Sequence, residues 1–271
     1  GQQILLAAEA AVKHENIYPV LLTSFRCSPD AYVVTYFKEM METANKPYLI
    51  VQLDEHSSDV GYQTRIEAGI DSFLNDFELR KQKKISPNIL VSRTQEFETR
   101  ISKEDTIFFP YLSPVLDEIV YAAFAAHGYT AKGLPIDQKI INLGYKYVSG
   151  GECMPNVAIV GSVIDAVKTQ RLDPRKSVLY LSDSCLSCNF HQYTSLVKAA
   201  CKKAGIEGLR IYSPKLGMPR EALPMRLSLD MSAGCVLGSL LYKLYFRFHP
   251  YEKESGATDI VLKKSIEIIK K

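Results

Sequence analysis

Short apolar runs rich in branched residues alternate along the chain with longer stretches whose apolar positions recur every three or four residues. Residues 18–23 (YPVLLT), 47–53 (PYLIVQL), 105–110 (DTIFFP), 177–182 (SVLYLS) and 209–212 (LRIY) read as strands, the first of them buried. Helical periodicity runs through 2–13, 31–44, 60–73, 114–127, 136–147, 156–167, 190–204 and 231–246. Gly205 supplies a stop signal for the helix before it. The apolar run at 236–244, broken by Gly238, Ser239 and Lys243, reads as a buried helix too short to span a membrane. Residues 75–103 are polar and weakly patterned, a crossing or partly mobile segment whose basic stretch from Arg80 to Lys84 reads as solvated surface. Strands alternating with helices predict an α/β fold, two lobes with parallel sheets flanked by helices. The first lobe with its polar connecting segment is expected over 1–103, and the second, with a closing helix, over 104–271. A helical pattern that begins at residue 2 without a cap, and a tail that stops in mid-helix, predict a fragment of a longer chain.

Net charge adds little to this picture. At +3, evenly spread, it predicts neither a nucleic-acid nor a membrane partner. No signal-peptide pattern is present at the N-terminus, so a cytoplasmic location is expected. In that setting the six cysteines are expected as ligands, buried thiols or redox residues, not as disulfides.

Three of the six share a setting. Cys27 (FRCSPD), Cys153 (GECMPN) and Cys188 (SCNFHQ) each lie just upstream of a predicted helix. A helix N-terminus offers free backbone N–H groups and the positive end of the macrodipole, both of which favour the thiolate that binds a metal or cluster. Proline two residues after Cys27 and Cys153 presets the turn without competing as a donor. By contrast, Cys201 (VKAACKKAG) and Cys235 (SAGCVLGSLL) read as small buried hydrophobes within helices. Cys185 and Cys188 form a C-x-x-C followed by His191, which also reads as half of a zinc site or as a redox pair. Glu55 and His56, after the second strand, are weaker candidates for proton transfer; a polar strand end with a helix cap explains them as well.

Several segments, in order, resemble the 2-hydroxyacyl-CoA dehydratase subunit-like family, and especially its relatives associated with CoA-substrate-specific enzyme activases. They are LTSFRCSPDAYVVTYF (22–37), QLDEHSSDVGYQTRIEA (52–68), YKYVSGGECMPN (145–156), CNFHQY (188–193) and FRFHPYE (246–252). The resemblance implies a cysteine-lined cleft between the lobes, with Cys27, Cys153 and Cys188 holding a 4Fe–4S-type or larger cluster. Cys185 falls outside the family's positions as aligned here, and stands either as a bystander or as a fourth ligand. His191 stands where the family would have a small residue.

The function this implies is an oxygen-sensitive iron–sulfur component that receives low-potential electrons from an ATP-hydrolysing activase domain or subunit, with a homologous subunit or a second copy as a further partner. The chain has no G-x-x-x-x-G-K-[ST] loop, so ATP would act only through the partner. The alternative is a non-catalytic docking domain whose cysteines hold zinc or nothing. A shared site requires the three sulfurs to converge on one cavity, wider apart than the roughly 4 Å that tetrahedral zinc–sulfur bonds of about 2.3 Å allow.

Overall fold

The computed structural model describes residues 2–24, 30–53, 59–82, 101–182, 189–214 and 223–270. The chain is α/β, and its sheets are parallel and flanked by helices. It divides into two compact units, one comprising Gly1–Gln95, Val148–Val157 and Leu186–Leu196, the other Glu96–Tyr147, Ala158–Cys185 and Val197–Lys271.

In the first unit, β1 (Val20–Thr23) pairs in parallel with β2 (Leu49–Gln52), Val20 opposite Leu49 and Thr23 opposite Gln52. Helices α1 (Gln2–Lys13), α2 (Asp30–Thr43) and α3 (Asp59–Gln82) accompany this ribbon. Val34, Phe37, Met41 and Ala44 recur at helical spacing along α2 and its end, and they meet Ala8, Val12 and Leu21 in a buried cluster. The apolar run of β1 is covered on one face only: Val20 is 51% and Leu22 61% exposed, whereas Leu21 and Thr23 are buried. A two-stranded sheet packed against one layer of helices leaves its other face bare, so continuous hydrophobicity overstated the burial.

α3 runs nine residues past the expected end at 73, and its extension is anchored by side chains. Tyr18 stacks on Phe73 at 4.9 Å and donates to Asp76 at 2.8 Å; Asp76 in turn accepts from Arg80 at 2.6 Å. Burial, helped by the hydrogen bond to Asp76, pushes the Tyr18 phenol up to about 12. Arg80 also donates to the carbonyl of Asn45, and its side chain is 7% exposed. The start of the basic stretch is therefore a structural tether rather than solvated surface, and Lys83 and Lys84 lie outside the described residues.

The second unit holds a four-stranded sheet ordered β4-β3-β5-β6, from Thr130–Gly133, Thr106–Phe109, Ser177–Tyr180 and Arg210–Tyr212. Every pairing is parallel. β3 leads through α4 (Pro114–Ala126) to an edge strand on one side. The next link, through α5 (Gln138–Tyr145) and α6 (Met154–Lys168), carries the chain to β5 on the other side. The switch point of such a sheet lies beyond the carboxyl ends of β3 and β5, where ligands of doubly wound folds gather. In the chain, β5 is followed by the segment that carries Cys185 and Cys188.

The central strands are nearly or wholly buried, and Phe109, Phe124, Tyr180 and Tyr212 form an aromatic core around them. β4 was not legible as a strand. Its sequence, TAKG, is exposed at three of four positions, as an edge strand tolerates.

Helix starts follow ordinary rules. Ser113 caps α4 by accepting from Leu116 N at 3.1 Å, with Pro114 next, and Asp137 caps α5 through Ile140 N at 2.8 Å. A 3-10 turn (Asn189–Gln192) leads into α7 (Tyr193–Lys203), which ends before Gly205 at φ 71°.

α8 (Met225–Phe248) begins six residues earlier than its apolar pattern predicts. It is not a buried helix: Leu227, Gly234 and Gly238 face inward, while Val236 is 69% and Leu240 50% exposed. α9 (Ala257–Ile269) closes the chain, capped by the Glu252 carboxylate, which accepts from Gly256 N, Thr258 N and the Thr258 hydroxyl. Those bonds, the Thr258 hydroxyl foremost, hold Glu252 down at about 2. The last residue of the FRFHPYE segment thus has a structural task. No helix among the described residues is long and apolar enough to cross a membrane.

Where α5 crosses α6, a Cβ built on Gly161 would lie 2.0 Å from the carbonyl oxygen of Ile140. Backbone cannot swing aside as a flexible side chain can, so Gly161→Ala must part the two helices. We expect overpacking to cost about 3 kcal/mol and to lower Tm by roughly 6–12 °C. Thermal unfolding followed by circular dichroism checks this; an unchanged Tm would mean that the helix pair adjusts freely.

Candidate functional site

The site is built where the loop before α6 meets α2, inside the first unit. The loop starts at Ser149, turns at Gly150 with φ at 91°, and delivers Glu152 and Cys153 to the helix start. Only glycine takes that backbone conformation cheaply. The Cys153 carbonyl accepts from Asn156 N at 3.0 Å and Val157 N at 3.2 Å, so Cys153 occupies the capping position expected from its sequence. Its thiol is free and half-buried.

Glu152 is 6% exposed and collects the turn around it. Its carboxylate accepts from Ser149 N at 2.9 and 3.1 Å, from Gly150 N at 2.9 Å and from the Thr35 hydroxyl at 3.0 Å. The Thr35 and Ser149 hydroxyls lie 3.0 Å apart, and Lys38 donates to the Ser149 carbonyl at 3.2 Å. Thr35 and Lys38 stand one turn apart on α2, the helix that follows the Cys27 segment. The Cys153 loop is therefore pinned to the helix whose start lies three residues beyond Cys27 in sequence.

A third segment reaches the same place. Tyr193, 5% exposed, sets its hydroxyl 2.8 Å from the Cys153 sulfur. Its ring meets Phe190 edge-on at 5.0 Å. Both belong to the 3-10 turn and helix start that follow Cys188 in sequence. One turn into α6, Asn156 is fully buried, and neither its amide nitrogen nor its carbonyl oxygen has a hydrogen-bond partner among the described residues. Spaced i, i+3, Asn156 and Cys153 share a helix face. A buried carboxamide left unpaired costs of order 1–3 kcal/mol, so this one calls for a partner such as a water, an ion or a ligand group.

Of the predicted site residues, Cys153 lies among those described; Cys27, Cys185, Cys188, Glu55 and His56 lie outside them, as does the side chain of His191. Among the described residues no three His, Cys, Asp or Glu side chains gather as a metal site. Cys201 is buried inside α7 and its thiol is pushed up to about 12 by burial. Cys235 packs against the aromatic core and is likewise raised by burial. Neither environment suits a ligand, since a metal binds the thiolate.

The donor set fits a sulfur-ligated group. Cys153 offers a soft ligand at a helix N-terminus, Tyr193 a hydroxyl against its sulfur, with either group able to donate, and Asn156 an unpaired polar group on the same face. A separate cavity of about 520 Å³ between α8 and α9 is walled by Leu241, Leu244, Phe248, Val261 and Leu262, and no cysteine lines it.

Glu152, Thr35, Asn156 and Tyr193 were not singled out from the sequence. Gly150-Gly151-Glu152 carried the usable signal: a glycine turn ahead of a helix, followed by one acidic side chain able to gather its N–H groups. Comparison of the chain with protein-family models, with curated proteins and with solved structures gives no match.

Proposed function

We propose that this chain is the iron–sulfur cluster-binding component of an ATP-dependent, low-potential electron-transfer system related to the 2-hydroxyacyl-CoA dehydratases. Cys27, Cys153 and Cys188 are the proposed ligands. The observation that carries the reading is the bonded set around Cys153: Glu152 and Lys38 tie its loop to the helix after Cys27, and Tyr193, five residues after Cys188, touches its sulfur. Three cysteines far apart in sequence thus have neighbours that meet.

When bound, such a cluster supplies storage of single electrons at low potential. The protein's own part is to hold and shield. Gly150 and Glu152 fix the loop, Cys153 sits at the start of α6 beside its free N–H end, and Tyr193, braced by Phe190, stands against the thiol. ATP hydrolysis belongs to the activase partner in this reading, and the acyl-CoA connection rests on the family resemblance.

Protein purified without oxygen should be brown and contain iron and acid-labile sulfide in nearly equal amounts. Colourless protein carrying zinc or no metal would replace this reading with the docking domain. Metal and sulfide analysis of one anaerobic preparation separates the two.

A further inference from the structure

Tyr193 is hydrogen-bonded to the sulfur of Cys153, a proposed ligand, and its geometry constrains what it does there. The oxygen–sulfur distance is 2.8 Å, the residue is 5% exposed, and the ring is held edge-on by Phe190. A thiol is a weak donor, and a coordinated sulfur has lost its proton altogether, so in a hydrogen bond between these two groups the phenol is the donor once a metal group is bound. A hydrogen bond to a charged acceptor in buried surroundings is among the stronger ones.

We infer that Tyr193 is a positioning and potential-setting residue, donating a hydrogen bond to the Cys153 sulfur and so making the bound cluster easier to reduce. The inference rests on the cluster reading above and assigns the direction of an effect within it. Reduction adds one electron, supplied by the external reductant, and with it negative charge spread over the irons and sulfurs. A donor aimed at a ligand sulfur stabilises the reduced form more than the oxidised form. Asn156, buried and unpaired on the Cys153 face of α6, is a second polar group near this end of the helix. It makes the neighbourhood of the sulfur more than a bare helix terminus.

The test is an anaerobic redox titration of the cluster in wild-type protein and in Tyr193→Phe, followed by absorbance and electron paramagnetic resonance, with iron and sulfide measured on the same samples. Phenylalanine keeps the ring that meets Phe190 edge-on and removes the hydroxyl. The expected result is retained iron and a one-electron reduction equilibrium about tenfold less favourable, equivalent to about 59 mV more negative. An unchanged potential with iron retained overturns the role of Tyr193 and leaves the cluster reading standing. If Tyr193→Phe loses its iron, fluorotyrosine at position 193 decides, because it keeps the shape and strengthens the donor. A less negative potential then supports the inference, and no change overturns it. Wild-type protein without iron and sulfide removes the cluster reading, and this inference with it.

Discussion

Cys153→Ser, purified without air, should retain almost no iron, and Cys27→Ser and Cys188→Ser should behave alike. Even groups that only orient a metal ligand are worth about 10–100-fold in affinity, and a lost ligand exceeds that. Serine is nearly isosteric, but its hydroxyl is hard and is not ionised near neutral pH, whereas iron–sulfur clusters take soft thiolates. The contrast within the chain sharpens the test. Cys201→Ser and Cys235→Ser should keep their iron, because burial holds both thiols protonated inside packed helices. Cys185→Ser should keep the cluster but alter its stability in air; complete loss there would indicate a fourth thiolate ligand. Iron content per chain is the measurement, and full iron in any of the first three variants strikes that residue from the ligand set.

Removing Glu152 should be the most damaging change outside the cysteines. Its carboxylate answers two backbone N–H groups and one hydroxyl in a largely buried place. Hydrogen bonds to a charged acceptor contribute about 1.5–3 kcal/mol each, and their donors pay for desolvation once orphaned. Glu152→Ala should therefore lose about 4 kcal/mol of stability, and iron retention with it. Glu152→Gln should fall between, since one side-chain oxygen remains to accept and an amide group now faces donors. Urea unfolding of the metal-free variants measures the first effect, and iron analysis the second. Wild-type stability in Glu152→Ala would show that water replaces the carboxylate at no cost.

The sheets were legible wherever a strand is central or carries branched residues. TIFF and SVLY announce themselves because every neighbour in the middle of a parallel sheet is apolar. TAKG does not, because an edge strand needs only its backbone to pair. α3 and α8 outran their patterns for a different reason. Tertiary anchors extend them, Tyr18 with Asp76 and Arg80 in one case and Leu227, buried in the aromatic core, in the other. A Cβ at Gly234 would come within 2.5 Å of the Ile119 side chain, a contact no periodicity announces.

At the site, the capping position of Cys153 followed from helix-start chemistry, and the structure has it. The partners of its loop come from 111 to 117 residues away in α2 and its own partner from 40 residues away in α7, separations across which local pattern carries no information. Each missed residue is a polar side chain whose meaning lies in whom it meets. Glu152 looks like any loop glutamate until Thr35 is beside it, and Asn156 like any first-turn asparagine until its surroundings close over it.

The first unit is not a continuous stretch of chain. It takes in Val148–Val157 and Leu186–Leu196 after the chain has left it at Gln95, and made most of the other unit's sheet in between. During synthesis, the segment emerging first therefore waits for partners that lie about a hundred residues behind it. At roughly 5–20 residues per second, Leu186–Leu196 follows about 5–20 s later, and for much of that time α2 is without its bonds to the Glu152 loop. Truncation after residue 95 would reproduce that waiting state permanently, giving a fragment with its own helices and strands but without the Cys153 loop or Tyr193. Such a fragment is expected to be prone to association through its strand edges, and co-expression of the remaining chain should relieve it.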